Sequence, residues 1–310
     1  MPELPEIETI KLGLRRYLIG KRVEGVEVNI PKMFIGKKED ILGAKVTNLQ
    51  RIGKGLIIEL DNDFVLAVHL KMTGQLIYRG PEVSEVPNVS KAKIGGELPS
   101  KWTHIIFKLK DQKSKIKNAS QKSKSLKEEE EKDAFLYYND LRQFGWIKVV
   151  KKDELMDIPF FKEMGPEPAV SKDMAGKPLA LTYFQNIVKK GNVPIKVLLM
   201  DQKRIGGIGN IYANDALFKA GIDPRRKGKA LKDEEIKELY DSIFFIIKKS
   251  LEYGGSSDEN FVNALGQEGN YQKHSLVYGK KGKDCPKGNG KIEKIFLGGR
   301  GTFFCSSCQK

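Results

Sequence analysis

Met1-Pro2-Glu3-Leu4-Pro5-Glu6 puts the groups needed for covalent amine catalysis at the very start of the chain. A small residue after the initiator methionine normally permits its removal, and the mature chain would then begin with the secondary amine of Pro2. Such an amine adds to an aldehyde or to a sugar C1′ and gives an iminium that is cationic without further protonation. An α-amino group titrates near pH ~7.7–8, so a fair share is already the neutral nucleophile at physiological pH. Glu3 is one peptide bond away and can move protons for it, and Glu6 adds a second carboxylate. Taken alone the signal is weak: a proline near an N-terminus usually just stiffens an entry strand, and that reading prevails without corroboration. Two further constellations stand out. Ile205-Gly206-Gly207-Ile208-Gly209-Asn210-Ile211-Tyr212-Ala213 is a Gly-rich turn entering a helix expected over Ile211–Ala220, after a helix that starts at Ile195-Lys196. Its backbone N–H groups could approach a phosphate, with Asn210 as cap and donor. A plain turn between two helices explains the spacing as well. Cys285, Cys305 and Cys308 all lie in the last 26 residues, which argues for a metal knuckle rather than a disulfide framework.

These groups need a scaffold, and 310 residues at 40% hydrophobic can bury two domains and a small appendage. The net charge of +15 favours a polyanionic partner. Residues 108–132 hold nine Lys and five acids, so most of the excess lies elsewhere. No apolar run is long enough for a bilayer and the N-terminus is not signal-like, so a cytoplasmic, nucleoid-associated protein is expected.

Apolar residues at 7, 10, 12, 14 and 18 predict an amphipathic helix over Ile7–Leu18. Short β-rich runs follow at Val23–Asn29, Ala44–Arg51, Gly55–Leu60, Phe64–Leu70, Gln75–Tyr78, Thr103–Leu109, Ala134–Asn139 and Trp146–Val150, a pattern of sandwich or barrel type. Residues 80–98 are turn-rich, and 110–132 form a Lys/Ser/Glu low-complexity insert expected as a loop. Pro159, Pro166 and Pro168 mark a linker, helical signals run from Leu179 to about Leu265, and two short hairpins are expected around the cysteines. The fold class is α+β multidomain: a catalytic β domain over 1–152, a helical domain over 153–265 and a small ribbon over 266–310.

Pro2-Glu3-Leu4-Pro5-Glu6, His69-Leu70-Lys71-Met72-Thr73-Gly74, Gly207-Ile208-Gly209-Asn210-Ile211-Tyr212-Ala213 and Gly298-Gly299-Arg300-Gly301-Thr302, in that order, closely resemble the formamidopyrimidine-DNA glycosylase (Fpg/Nei) family. The resemblance covers nearly the whole chain and is interrupted mainly by residues 80–132. It implies an N-terminal β-sandwich, a helix–two-turn–helix domain and a C-terminal zinc finger. It also implies a bifunctional glycosylase/AP lyase that removes oxidised purines, such as 8-oxoguanine and formamidopyrimidines, from damaged duplex DNA as a monomer. By the same resemblance Pro2 attacks C1′, Glu3 supports ring opening, Lys54 transfers protons during β-elimination, and Arg300 grips phosphates and assists δ-elimination. A flipped base leaves a hole, and apolar side chains fill such holes. Met72 corresponds to the void filler, and Arg142 and Phe144 to the pair at the orphaned base. Glu6, His104, Lys196 and Asn210 complete the expected DNA-binding set, and 254–271 corresponds to a lid over the base. By residue type alone, Lys54 reads as an exposed turn lysine, Met72 and Phe144 as core, and His69 and His104 as buried or edge histidines.

Two positions depart from the family. Trp102 stands where the first histidine of a His-x-His is usual, so a phosphate-facing group is either missing or replaced by an indole. Gly288 stands where the second of four finger cysteines is usual. Zinc held by Cys285, Cys305 and Cys308, with Asp284, Asn289, water or a neighbour as fourth ligand, competes with a zinc-free hairpin. The rival functions are an endonuclease VIII-like enzyme for oxidised pyrimidines, a catalytically silent lesion binder, and a general basic RNA- or ribosome-associated protein.

Overall fold

The computed structural model describes residues 1–83, 85–111, 133–171, 175–288 and 290–310. The low-complexity insert from 112 to 132 and Asn289 lie outside the described residues. Helix α1 (Leu4–Leu18) opens the chain, three residues earlier than the apolar period alone predicts. Its N-terminus is closed by the Glu6 carboxylate, which accepts the Glu3 amide at 2.8 Å. Ile7, Ile10, Leu14 and Leu18 form one buried stripe against the β domain, whereas Leu4 packs into the core of the helical domain. The helix thus pins one end of the chain between two cores.

The β domain is a sandwich. Its first sheet is antiparallel, in the order β1 (Arg22–Val28), β7 (Thr103–Lys110), β8 (Ala134–Asp140), β6 (Gly74–Arg79). The second runs β2 (Phe34–Ile35), β9 (Trp146–Lys151), β5 (Phe64–His69), β4 (Gly55–Leu60), β3 (Val46–Ile52). Alternation explains the stacking. Leu56, Ile58 and Leu60 face the inner core with Leu76, Phe107 and Leu136, while Ile57, Val65 and Ala67 point outward under Ile158 and Phe161. The linker carrying those two residues, with short α3 (Pro159–Lys162), is why β4 is buried on both faces. Between β6 and β7, the described residues of the turn-rich stretch include a 3-10 turn (Pro81–Val83) and the short helix α2 (Lys91–Ile94).

The helical domain contains α4 (Leu181–Lys189), α5 (Ile195–Met200), α6 (Asn210–Lys219) and α7 (Asp233–Glu252) around Phe184, Leu198, Tyr212, Leu239 and Ile243. Helical signals were expected to continue to about Leu265, but α7 stops at Glu252. Gly254 and Gly255, at φ +70° and +82°, take the left-handed turn that ends it. Residues 253–270 contain no helix. They lie against the β domain: Ser90 N donates to Gly266 O at 2.9 Å, Gln267 Nε2 to Pro87 O at 2.9 Å, and Gln75 Nε2 to Asn260 O at 2.7 Å. After α8 (Tyr271–His274), the C-terminal ribbon has one hairpin among the described residues, β10 (Glu293–Leu297) with β11 (Arg300–Phe304), not two. Around Cys285 the chain doubles back without forming a second strand pair: an isolated antiparallel bridge joins Asp284 to Lys291, flanked by hydrogen bonds from Gly282 N to Ile292 O (2.8 Å), Ile292 N to Lys283 O (2.9 Å) and Cys285 N to Gly290 O (2.7 Å).

Candidate active site

The N-terminus, the Lys54 turn, the Gly-rich turn, the 253–270 segment and the ribbon hairpin meet at one cavity of about 230 Å³. Pro2, Glu3, Lys54, Met72, Asn210 and Arg300 all line it, as do Gln202, Ser256 and Tyr278. Leu4 N donates to Gly207 O at 3.1 Å, which ties the first residues to the Gly-rich turn. Gly207, at φ +85°, lies where a side chain would collide with Leu4.

Glu3 corrects the expectation for Asn210. Gly209 is the N-cap residue of α6 and Asn210 the first helical one. The acceptor at this helix end is Glu3 Oε1, which receives Ile211 N at 3.0 Å. A Cβ on Gly209 would overlap the Glu3 carboxylate, so glycine here leaves room for that carboxylate at the helix end. Glu3 Oε2 is buried and has no hydrogen-bond partner. Burial pushes the Glu3 carboxyl up, against the opposing pull of Lys54 and the Ile211 amide. Lys54 is not an exposed turn lysine: it is 4% exposed, and its Nζ donates to Ile208 O at 3.0 Å. Burial lowers its ammonium, with Glu3 pulling the other way. Desolvation thus moves the carboxyl up and the amine down, which brings their proton affinities toward one another.

Lys54 is held by a network that residue-type reasoning missed. Arg51 is fully buried and pairs with Glu8 at 2.9 Å and with Glu167 of the linker. Glu167 also accepts Gly53 N at 3.0 Å, and Arg51 donates to Gly53 O at 2.9 Å. Gly53, at φ +57°, turns the chain so that the next side chain enters the cavity.

Two expected DNA-contacting residues are buried supports instead. Glu6 is 1% exposed and accepts Glu3 N, Ser256 N (2.8 Å) and the Tyr212 hydroxyl. Burial, then the neighbouring Glu3 charge, pushes its carboxyl up to about 7. It faces the protein because α1 turns this side toward α6 and the 253–270 segment. Lys196 is fully buried under the ribbon turn, and its Nζ donates to Thr302 Oγ1 at 2.7 Å and Gly301 O at 3.1 Å. Burial lowers it to about 8. Arg300 itself is exposed, beyond a tight turn of Gly298 and Gly299, both at positive φ.

Away from the cavity, Arg142 and Phe144 stand together on the loop after β8. The guanidinium lies 4.7 Å from the ring centroid, and Phe144 is 55% exposed rather than core. Met72 is half-buried on the loop after β5. His104 is buried at a bulge in β7, with Nε2 2.9 Å from Asp140 O, so it does not reach solvent as a phosphate ligand would. Trp102 packs its indole against Gly95. His69 is buried against Phe160 and Trp146, lowered to about 3 by burial and hence neutral.

The sulfurs of Cys285, Cys305 and Cys308 lie within 4.8 Å of one another and could hold a metal ion. Among the described residues no His, Asp or Glu joins them. Asp284 points to Lys291 at 3.7 Å and is 92% exposed. Gly288 has open space where a side chain would project.

Residues 1–147 match the model of the formamidopyrimidine-DNA glycosylase N-terminal domain, and 164–261 that of the formamidopyrimidine-DNA glycosylase H2TH domain. A formamidopyrimidine-DNA glycosylase of Pelotomaculum thermopropionicum is 35% identical over 315 residues, covering 100% of this chain and 99% of that protein. The chain belongs to the formamidopyrimidine-DNA glycosylase family. Another family member, from Streptococcus mutans, is 34% identical with complete coverage of both chains. The chain is also similar to the Lactococcus lactis family member in complex with DNA containing an N7-benzyl-Fapy-dG, with TM-score 0.79, 30% identity and complete coverage of both. A complex of that protein with DNA containing an abasic site matches at TM-score 0.79, 29% identity and 99% coverage of both. The fold of the family is present in full: β-sandwich, helix–two-turn–helix domain and C-terminal hairpin beside a cysteine cluster. Among the described residues no helix is long and apolar enough to cross a membrane.

Proposed function

We propose that this chain is a base-excision repair glycosylase and AP lyase that acts as a monomer on nucleoid DNA and removes oxidised purines from the duplex. The observation that carries the proposal is the single cavity in which Pro2, Glu3, Lys54 and Arg300 converge. Once Met1 has been removed, the Pro2 nitrogen lone pair attacks C1′ and the glycosidic bond breaks, releasing the damaged base. Glu3, whose carboxyl burial pushes up, delivers a proton to O4′ as the C1′–O4′ bond opens to the iminium. Lys54, its affinity for a proton lowered, takes the C2′ proton as the 3′ phosphate leaves. A second proton loss expels the 5′ phosphate, which Arg300 receives, and hydrolysis of the imine frees Pro2. Met72, Arg142 and Phe144 fill the space the base vacates. The trapping test uses borohydride with a duplex carrying 8-oxoguanine. The expected outcome is a covalent adduct whose peptide map locates the sugar on Pro2, and no adduct from competent mature protein removes the proposal.

Zinc suits the three sulfurs, because cysteine thiolates are its usual ligands at about 2.3 Å. Cys285, Cys305 and Cys308 would hold it with one position left for a ligand not among the described acidic residues or histidines. Holding it, these residues would tie the Cys285 segment to the end of β11, the strand that begins with Arg300. Native mass spectrometry is expected to find close to one zinc per chain, held less firmly than by four thiolates. A ratio near zero in protein that still cuts DNA would dismiss the metal.

A further inference from the structure

The carboxylate of Asp140 lies outside the cavity, is fully buried, and ends β8 at the point where the wedge loop begins. Oδ2 accepts Phe144 N at 2.9 Å and Gly145 N at 2.8 Å. Oδ1 accepts Arg142 N at 3.2 Å and the hydroxyl of Thr73. Thr73 Oγ1 in turn accepts Arg142 N at 3.0 Å. Asp140's own backbone is fixed on both sides, its N–H donating to Trp102 O at 2.9 Å and its carbonyl meeting His104 Nε2 at the same distance. Between the anchored amides, Gln143 is held at φ +56°, a conformation a free loop would seldom keep. The second loop is as constrained: Lys71 sits at φ +52°, and Gly74 N donates to Leu70 O at 2.9 Å. Thr73 directly follows Met72, so one carboxylate binds the loop of Met72 to the loop of Arg142 and Phe144.

We propose that Asp140 is a positioning residue that makes the two insertion loops one rigid body, so that Met72, Arg142 and Phe144 enter the duplex together. The inference rests on the reading of those three side chains as fillers of the vacated space. Four charge-assisted hydrogen bonds to one buried carboxylate leave little freedom in either loop. Asp140→Asn keeps the volume but puts an NH₂ group where an acceptor is needed. Either the Phe144 and Gly145 amides or the Thr73 and Arg142 donors then lose their acceptor.

The test compares two substrates, a lesion in duplex DNA and an abasic site in single-stranded DNA, which has no orphaned base to replace. Asp140→Asn is expected to lower the ratio of duplex to single-strand turnover by roughly 10- to 100-fold, the scale of a misplacement of about 1 Å. Thr73→Val is expected to act in the same direction and Thr73→Ser to restore wild-type behaviour. Phe144→Ala should lower the same ratio, and Asp140→Asn combined with it should add little, because both disable one device. An unchanged ratio in Asp140→Asn overturns the inference, and so does a parallel loss on both substrates that tracks a fallen melting temperature. If Phe144→Ala lowers the ratio and Asp140→Asn does not, the anchor alone fails; if neither does, the reading of the wedge residues has failed.

Discussion

A single residue placed ahead of Pro2 and resistant to processing is expected to abolish borohydride trapping and strand cleavage, on the order of 10³-fold or more, as for loss of a covalent nucleophile. In a chain that keeps Met1, the Pro2 nitrogen is an amide whose lone pair is committed to the peptide bond. The Met1 ammonium then sits 3.0 Å from Glu259 at the mouth of the cavity, and Pro2 is buried behind it. Duplex affinity should survive, because it depends on distributed positive charge that the blocked chain retains, and its steep salt dependence should be unaltered. Measuring trapping and equilibrium binding on the same blocked protein separates chemistry from attraction. Lyase turnover persisting in it would move the covalent role away from Pro2.

The largest effect on folding is expected at Glu167. Glu167→Ala should cost about 3–5 kcal/mol, the range for removing one partner of a buried ion pair, since the fully buried Arg51 guanidinium cannot recover water. Glu8 remains beside Arg51, but it also pairs with Lys11 at 2.7 Å, so two cations would share one carboxylate. The Gly53 amide loses its acceptor as well, which loosens the turn that carries Lys54. Chemical denaturation gives the stability, and β-elimination from a preformed abasic site reports the loosened lysine. A loss below about 1 kcal/mol would mean that the pair's desolvation had already cancelled its attraction.

The sequence made the architecture legible because alternation and period survive in any single chain. Every β run from Val23 to Val150 became a strand shifted by at most two residues at either end, and α1 buries four of the five apolar positions its spacing rests on, Leu12 being exposed. Gly254-Gly255 announced the end of α7, and reading helix through them weighed the apolar residues beyond above the stronger breaker. Direction was less legible than type. A glutamate and a lysine in a basic chain read as surface groups, yet Glu6 and Lys196 point inward because the elements they sit on face other elements. Asp140 gave no sign of its function, since a lone aspartate before a turn commonly caps its own loop. Its reach across to Thr73 depends on the β6–β8 pairing, in which Gly74 stands opposite Asp140. The Lys54 network was hidden likewise, because Glu167 lies 116 residues after Arg51.

The hydrogen bonds between residues 87–90 and the 260–268 part of the 253–270 segment, here called the strap, give the strap a backing that neither segment supplies alone. Gln267 reaches Pro87 across 180 residues of chain, and Gln75 reaches the Asn260 carbonyl from the sandwich itself. Transplanting a relative's strap by itself would therefore import its residues without their backing, and the wall would settle on a foreign template. A graft of this stretch between homologues must therefore carry both pieces if its hydrogen bonds to the sandwich side are to be kept.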